Sequence, residues 1–303
     1  MRITALSGGV GGARMLRGFS DLPGVELTAI VNVGDDDSIY GLHLAPDLDT
    51  VTYTLAHVES TERGWGRTGE TWHTMAELET FPIDSTFRLG DKDLALNLFR
   101  TARLAEGARL SRVTDEIAAV LGVRTTILPV SDDPIRTRVR AASAWMDFQD
   151  YFVRRRHADI VDALRFDGAA DATPAPGVSE AIEAAEAIVI GPSNPFLSIW
   201  PILAVPGIAE AIAGKDRIMA VSPLIGGKAV KGPLGEIMPA LGYDVSAAGI
   251  VQAYDGLLTD LVVHRDDPLP DDTPSISFHS AETLIRDGTA ARVLARSMVA
   301  WLS

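Results

Sequence analysis

A repeated alternation of short apolar runs and helical patterns constrains the fold of this 303-residue chain more than any other feature. The apolar runs are typical of buried strands, and several end in a loop of Gly, Ser, Asn or Asp before a segment with helical periodicity. Repeated strand–loop–helix units predict a parallel sheet with right-handed crossovers and helices on both faces. We therefore predict an α/β fold with a doubly wound, mostly parallel, Rossmann-like sheet.

The pattern changes between residues 135 and 177. Alternating residues at Arg136–Arg140 and Trp145–Phe152 are typical of antiparallel strands. We predict a nucleotide-binding α/β domain built from residues 1–134 and 178–303, interrupted by a small antiparallel and helical subdomain at 135–177.

Composition excludes several classes of function. A formal net charge of −14 argues against nucleic acid as a partner, because phosphate backbones need clustered Lys and Arg. The absence of Cys excludes disulfides, zinc–thiolate sites and cysteine nucleophiles. The first residues show no signal-peptide pattern, and Pro201, Pro206 and Glu210 interrupt the most apolar stretch, Phe196–Ala213. We expect a cytoplasmic protein that binds neither nucleic acid nor membrane.

The first apolar run ends in the glycine-rich segment Ser7-Gly8-Gly9-Val10-Gly11-Gly12-Ala13-Arg14, and a helical pattern follows. Small residues between a strand and a helix let backbone N–H groups approach an anion at the helix N-terminus. The dinucleotide fingerprint is not matched, because its third glycine would fall at Arg14, and no Gly-Lys-Ser/Thr of a Walker A loop follows. A tight turn without a ligand is the alternative, although the segment has more glycines than a turn needs.

A cluster of carboxylates follows the second predicted strand, Glu26–Val33. It consists of Asp35, Asp36, Asp37, Asp47 and Asp49. Carboxylates held close together are unfavourable unless a positive group lies among them. Our hypothesis is a divalent cation between these acids and a phosphate, and hard oxygen ligands point to Mg²⁺. The alternatives are a solvated loop and an N-cap at Asp49 or Thr50 of a helix predicted over 50–57.

The carboxyl ends of parallel strands lie at one edge of a sheet, where ligands bind. We expect five polar loops to meet there: Ser7–Gly12, Gly34–Asp37, Ser131–Asp133, Gly191–Pro195 and Ser222–Gly227. No Gly-x-Ser-x-Gly elbow occurs, which disfavours a serine hydrolase. The residues alone therefore indicate an enzyme that binds a nucleotide diphosphate together with a metal.

Several motifs, taken together, resemble the 2-phospho-L-lactate transferase family of coenzyme F-420 biosynthesis. They are Ser7–Arg14, Asn32–Asp36, Pro46–Thr50, Leu89–Asp93, Ser131–Asp133, Gly191–Pro195 and Ser222–Gly227. The resemblance implies transfer of a 2-phospholactyl or enolpyruvyl phosphate group from a guanosine diphosphate-linked donor to the terminal ribityl hydroxyl of the deazaflavin Fo, with release of GMP. It also implies an Mg²⁺ cofactor and a homodimer, and it leaves the donor acid open among lactyl, enolpyruvyl and phosphoglyceryl.

The resemblance assigns roles to individual residues. Asp35 and Asp49 would be catalytic and hold Mg²⁺. Asp49, Arg88, Asp47 and Asp91 would bind Fo, and Asp36 and Asp37 are expected to be solvated. The nucleotide and its diphosphate would be bound by Ser7, Gly8, Gly9, Gly11, Gly12, Arg14, Ser193, Asn194, Pro195, Ser222, Pro223 and Gly226.

The family often has an aromatic residue shortly after the first acids, where this chain has Asp37-Ser38-Ile39-Tyr40, and Tyr40 is the candidate substitute. A non-catalytic nucleotide-sugar-binding regulator with a similar glycine-rich start is the alternative function. The presence of both Pro46–Thr50 and Arg88–Asp91 favours the transferase, and the missing third glycine disfavours a dehydrogenase.

Overall fold

A seven-stranded sheet forms the centre of the fold in the computed structural model, which describes residues 1–155, 157–230, 232–269 and 276–303. All its neighbouring strands are parallel, as predicted. Across the sheet the strands are β14 (Ser277–Ala281), β13 (Asp260–His264), β10 (Ile218–Val221), β9 (Ala187–Ile190), β1 (Arg2–Ser7), β2 (Glu26–Val31) and β5 (Thr126–Pro129).

The central strands are buried on both faces, since every residue of β9 and all but the first of β1 are buried. Such strands occur where helices cover both sides of a parallel sheet. The described helices are α1 (Gly9–Ser20), α2 (Pro46–Leu55), α3 (His73–Leu78), α4 (Asp91–Ala105), α5 (Leu110–Val120), α6 (Val178–Ala184), α7 (Trp200–Leu203), α8 (Ile208–Ala213), α9 (Leu234–Ala240), α10 (Ala247–Ala253) and α11 (Gly288–Leu302). The α/β fold predicted from the alternation is confirmed.

The strand order reverses between β1 and β9. The chain runs from β1 outward through β2 to β5, and later from β9 outward through β10 and β13 to β14. Ser7 pairs with Val31, and Leu6 pairs with Ile190, so the loops after β1, β2 and β9 leave the same edge of the sheet. A crevice forms at such a switch point, and it is where ligands bind in open α/β sheets.

Residues 135–177 contain the antiparallel strands that the alternation predicted. They are β6 (Arg136–Ala141), β7 (Ala144–Asp147) and β8 (Val161–Asp167), which form a three-stranded sheet with β6 in the middle. The division of the chain into an α/β domain and an inserted subdomain stays a prediction.

Two short hairpins follow β2 and β10. One pairs β3 (Asp37–Ile39) with β4 (Leu42–Leu44), and the other pairs β11 (Leu224–Ile225) with β12 (Lys228–Ala229). In the first, Tyr40 and Gly41 adopt φ values of +56° and +74°, the left-handed conformation that a two-residue hairpin turn requires. Sequence reasoning missed this hairpin because three-residue strands are too short to show alternation.

The start of α2 corrects a prediction. The helix begins at Pro46, so Asp47 and Asp49 lie in its first turn and neither Asp49 nor Thr50 is the N-cap. Proline fits the first position of a helix because its φ angle is already helical and its missing N–H would have no partner there. The predicted second strand is also shorter, because β2 ends at Val31.

The apolar stretch Phe196–Ala213 belongs to the core, as expected, with Phe196 and Ile199 fully buried. It consists of a turn at Pro195–Ile199 followed by the short helices α7 and α8. In the described ranges of the chain, no helix is both long and apolar enough to cross a membrane.

Candidate functional site

A cavity of about 780 Å³ opens at the carboxyl edge of the sheet, beside the switch point. The start of α1, the start of α2 and the loops after β2, β9 and β10 contribute to its wall. The predicted site residues that line it are Gly8, Gly9, Gly11, Arg14, Asp35, Asp47, Asp49, Arg88, Ser193, Asn194, Ser222 and Pro223. The fold therefore brings together residues that are widely separated in the sequence.

The glycine loop packs closely against the loop that follows β9. A Cβ at Gly11 would lie 2.6 Å from the carbonyl oxygen of Pro192, and one at Gly8 would lie 2.5 Å from Asp47 Oδ2. Gly9 has φ +65°, which favours glycine. Backbone N–H groups in the first turn of a helix have no partner within the helix, so the start of α1 is suited to an anion.

Ser7 and Gly12 are predicted nucleotide-binding residues that lie behind the cavity wall rather than in it. Ser7 is fully buried, and a Cβ at Gly12 would lie 2.6 Å from Ser193 Oγ. Ser193 Oγ donates a hydrogen bond to the carbonyl oxygen of Gly8 over 2.7 Å. These residues therefore hold the glycine loop against the β9 loop.

Pro195 and Gly226 also lie outside the lining of the cavity. Asn194 Oδ1 accepts hydrogen bonds from the N–H groups of Phe196 and Leu197, at 3.0 and 3.2 Å, and so fixes the turn that begins at Pro195. The N–H of Gly226 donates to Asp267 Oδ1 over 2.5 Å. Both residues shape a loop rather than face the cavity.

Asp35 and Asp47 converge on one amide group. Asn32 Nδ2 donates to Asp47 Oδ2 over 2.9 Å and to Asp35 Oδ1 over 3.2 Å. Burial raises the pKa of Asp47 to about 6, although hydrogen bonds from Asn32 and the N–H of Gly9 oppose the shift. Burial also raises the pKa of Asp35 well above its ordinary value, and the charge of Asp47 adds to this. Two carboxylates thus share a site with little positive charge.

Asp49 points into a buried polar network instead. It forms an ion pair with Arg100 of α4, whose side chain is only 2% exposed. Arg100 Nη1 also donates to Asn97 Oδ1 over 2.6 Å. Close by, the Tyr53 hydroxyl donates to Asp93 Oδ1 over 2.6 Å. Burial raises the pKa of Asp49, and the Arg100 guanidinium opposes this.

Asp36 is not solvated, and that prediction was wrong. It is 3% exposed, and its Oδ2 lies 3.0 Å from Nε2 of His43. The β3–β4 hairpin brings His43 back onto Asp36, and burial raises the pKa of this carboxyl. Asp37, by contrast, is partly exposed at the start of β3.

Asp91, which we predicted to bind Fo, does not line the cavity. Its carboxylate accepts hydrogen bonds from the N–H groups of His73 and Thr74, both at 3.0 Å, and from the Thr71 hydroxyl. These bonds hold its pKa below the ordinary value. Asp91 therefore caps α3, because its carboxylate accepts from the first backbone N–H groups of that helix.

The loop Ser131–Asp133 is also absent from the cavity lining, although we expected it there. Asp132 accepts from the N–H and hydroxyl of Ser111 at the start of α5, and Asp133 accepts from Thr173. This loop follows β5, which lies at the edge of the sheet and away from the switch point.

Sequence reasoning missed several residues of the wall. The inserted segment contributes Phe148, Gln149, Phe152 and Val153, and Gln149 Nε2 donates to the carbonyl oxygen of Asp35 over 3.0 Å. No local signal could have found them, since they follow β7 of the separate three-stranded sheet. Arg100 was missed because an Arg in an amphipathic helix is usually exposed.

Tyr40, the candidate aromatic substitute, lies behind the wall. Its hydroxyl donates to the carbonyl oxygen of Phe87 over 2.5 Å, and Phe87 lines the cavity. Tyr40 therefore positions Phe87.

The protein supplies only part of the ligand set that a hard cation needs. In the described part of the chain, no three His, Asp or Glu side chains are grouped so that they could hold a metal ion. Mg²⁺ is usually held by one or two carboxylates, with phosphates and water completing its shell. Asp35 and Asp47, which share one amide and have raised pKa values, fit that arrangement.

Comparison with solved structures identifies the same fold. A member of the UPF0052 family from Bacillus halodurans superposes with a TM-score of 0.68, at 21% identity and with 98% of each chain covered.

Sequence comparison identifies the family. The chain is 43% identical over 273 residues to "Phosphoenolpyruvate transferase" of Kitasatospora aureofaciens, covering 86% of this chain and 85% of that protein. It is 36% identical over 305 residues to "2-phospho-L-lactate transferase" of Methanopyrus kandleri, covering 99% and 97% of the two chains. The model of the family "2-phospho-L-lactate transferase CofD" matches residues 3–296. The chain therefore belongs to the 2-phospho-L-lactate transferase CofD family.

Proposed function

We propose that this chain transfers a phospho-organic-acid group from a guanosine diphosphate-linked donor to the terminal ribityl hydroxyl of the deazaflavin Fo, releasing GMP, in coenzyme F-420 biosynthesis. The observation that carries this proposal is one cavity in which the glycine-rich start of α1 lies beside Asp35, which follows β2, and the buried carboxylates of α2. Gly9 N–H donates to Asp47 Oδ1 over 2.7 Å, so the anion-binding and carboxylate parts of the site are in direct contact.

The donor would lie along the switch point. Its diphosphate would approach the backbone of Gly8, Gly9 and Gly11, where the positive end of the α1 dipole favours an anion. The guanosine part would extend toward Ser193, Asn194 and the residues after β10. The loops after β9 and β10 support this placement because they lie on the opposite side of β1 from the carboxylates.

Mg²⁺ would be held by Asp35 and Asp47, together with the donor phosphates. The family resemblance assigns the metal to Asp35 and Asp49, but Asp49 is engaged by Arg100, whereas Asp35 and Asp47 share the amide of Asn32. When bound, the cation would neutralise charge on the diphosphate and on the departing GMP.

Asp49 would orient the acceptor. In the reaction, the ribityl hydroxyl oxygen forms a bond to the phosphorus that carries the organic acid, and the bond from that phosphorus to the GMP oxygen breaks. GMP leaves with the electron pair of that bond, and the hydroxyl proton passes to the Asp49 carboxylate. Arg100 keeps this carboxylate in one orientation, and positioning with charge neutralisation supplies most of the catalysis of phosphoryl transfer.

Arg88 would bind the acceptor at the rim. Its side chain is 48% exposed, its Nη1 donates to Glu79 Oε1 over 2.7 Å, and it lies 5.5 Å from the ring centre of Trp72. A rim position suits an early contact with Fo.

As further parts of the proposal, the chain acts in the cytoplasm and as a homodimer.

Product analysis tests the reaction and identifies the donor acid. Purified protein is incubated with Fo, Mg²⁺ and, in separate reactions, the lactyl, enolpyruvyl or phosphoglyceryl guanosine donor. We expect GMP release and an Fo phosphodiester of the corresponding mass with at least one donor, and no GMP when Fo is omitted. Tight binding of a donor with no product from any of the three would contradict the transferase and support a non-catalytic binding protein.

A further inference from the structure

The loop between α2 and α3 places a half-exposed tryptophan in the wall of the cavity. Trp65 lines the cavity and is 46% exposed. It also borders a small adjoining cavity with Thr50 and Tyr53 of α2. A large aromatic side chain that stays exposed inside a concave site is available to a ligand, since burial of such a ring is otherwise favourable.

The surroundings of Trp65 hold its ring in place. Gly64 and Gly66 on either side have φ values of +72° and +68°, which favour glycine. The Trp72 ring meets Trp65 edge to face, with 5.9 Å between the ring centres and 76° between the planes. The ring of Trp65 is therefore positioned before any ligand arrives.

Arg63 covers one face of this ring. Its guanidinium carbon lies 5.7 Å from the ring centre of Trp65 and 5.4 Å from that of Trp72, and its Nη2 donates to the carbonyl oxygen of Arg67 over 2.6 Å. Arg63 lies over one face of the ring, so the stacking that we propose below would use the opposite face.

The position of Trp65 indicates which planar group of the proposed reaction, the deazaflavin ring or the guanine base, would stack on it. The loop that carries it follows α2, which holds Asp47 and Asp49, and Arg88 lies over the neighbouring Trp72. The loop that would hold guanosine follows β10, on the other side of β9 and β1. Trp65 is thus on the acceptor side of the cavity.

We propose that Trp65 is the platform on which the planar deazaflavin ring of the acceptor stacks. This inference rests on the proposed function and adds to it the residue that binds the ring itself. The ribityl chain would then extend from the ring toward Asp49, where its terminal hydroxyl reacts.

Fluorescence titration and steady-state kinetics test this proposal. Fo and, separately, GDP are titrated into wild-type protein and into Trp65→Leu, Trp65→Phe and Trp145→Leu. Trp145 is a matched control because it is 37% exposed and has Arg165 at 4.6 Å from its ring centre, but it lies in the antiparallel sheet and not in the cavity lining. Circular dichroism and thermal melts establish that each variant is folded.

For Trp65→Leu we expect the Kd and apparent KM for Fo to rise about tenfold, which corresponds to 1.4 kcal/mol. The Kd for GDP and the kcat at saturating Fo should change less than about twofold. Trp65→Phe keeps a ring and should recover most of the affinity, and Trp145→Leu should behave as wild type.

A folded Trp65→Leu variant that binds Fo as tightly as wild type would overturn this inference alone. A selective loss of GDP binding would also overturn it, because the ring would then stack on the nucleobase. Wild-type protein that binds no Fo at all would overturn both the inference and the proposed function.

Discussion

At the scale of single residues, the buried ion pair between Asp49 and Arg100 connects the stability of the fold with the proposed reaction. Arg100 is 2% exposed, and besides Asp49 it contacts Asn97 and the carbonyl oxygen of His43. Removing one partner of a buried pair leaves the other charge uncompensated, which is more costly than removing both. Asp49 therefore contributes to stability as well as to the proposed reaction.

We expect Asp49→Asn to lower turnover by about 10²-fold or more, because the proposed proton acceptor is lost. We also expect a loss of about 3–5 kcal/mol in the free energy of unfolding, since Arg100 stays buried without its partner. Initial rates and urea unfolding measure the two effects.

The double variant Asp49→Asn/Arg100→Met is the control for folding. It should regain most of the lost stability, because a hydrophobic residue of similar length replaces the charge, while turnover stays low. Near-normal turnover of folded Asp49→Asn would refute the role of this carboxylate.

Asp93 gives a pH dependence of stability. Burial raises its pKa to about 6, and the charge of Asp49 adds to the shift. In the unfolded chain an Asp has a pKa of about 3.9. Between about pH 4 and 6 the folded protein keeps a proton that the unfolded chain has lost, so stability falls as the pH rises through this window.

We expect Asp93→Asn to raise the free energy of unfolding at pH 7.5 by on the order of 1–2 kcal/mol, and to reduce the slope of stability against pH between about 4 and 6. Some slope should remain, because Asp47 has a pKa raised to about 6 as well. Urea unfolding at several pH values measures the change. Asp37→Asn, at the partly exposed start of β3, is the control. An unchanged slope of stability against pH in Asp93→Asn would contradict the raised pKa of Asp93.

At the scale of elements, the site depends on close contact between the glycine loop and the loop after β9. Besides the Gly11 contact with Pro192, a Cβ at Gly191 would lie 2.9 Å from the Cα of Gly12. At Gly11 and Gly191 the two loops thus meet through backbone atoms, and the Ser193 hydroxyl adds its hydrogen bond to Gly8. This contact fixes the start of α1 relative to Ser193 and Asn194.

We expect Gly11→Ala to destabilise the protein by about 1–3 kcal/mol, because backbone atoms must move to admit the methyl group. The Kd for GDP should rise in parallel, since the start of α1 would shift away from the β9 loop. Isothermal titration and thermal melts measure both.

Gly235→Ala in α9 is the matched control. A Cβ there meets no atom of the described residues within 4 Å, and Ala favours a helix by about 1 kcal/mol over Gly, so stability should be equal or higher. Equal effects of the two substitutions would contradict the packing argument.

At the scale of the whole molecule, the sheet order places donor and acceptor groups on opposite sides of one crevice. The carboxylates come from the β2 side, the guanosine loop from the β10 side, and the inserted segment closes a further part of the wall with Phe148 and Phe152. The carboxylates differ in their partners, since Asp49 is paired with Arg100 whereas Asp35 and Asp47 share the amide of Asn32. A bound cation would place positive charge beside Asp35 and Asp47.

We therefore expect turnover to be lost in excess EDTA and restored by Mg²⁺. In the presence of GDP, Mg²⁺ should also raise the melting temperature of wild-type protein by a few degrees, and this rise should be absent in Asp35→Asn. The melting measurement separates cation binding from catalysis. Full turnover in excess chelator would exclude the metal.

Much of the fold could be predicted from the sequence, because local patterns determine local structure. The strands β1 and β9 and the helices α4, α5 and α11 follow from apolar periodicity and from the glycines and polar residues at their ends. The edge strand β14 and the β3–β4 hairpin could not be predicted, since half-buried or very short strands have no clear apolar pattern.

The sequence by itself determined the parallel α/β fold and the residue types that the site contains, because strand ends and glycine-rich turns are local features. Only the tertiary structure decided which partner each carboxylate has. Asp35 and Asp47 share the amide of Asn32, and Asp36 contacts His43. Asp49 pairs with Arg100, and Asp91 caps α3. Their partners lie on other elements, often far away in the sequence, and burial decides how each charge is balanced. No pattern along one chain segment contains that information.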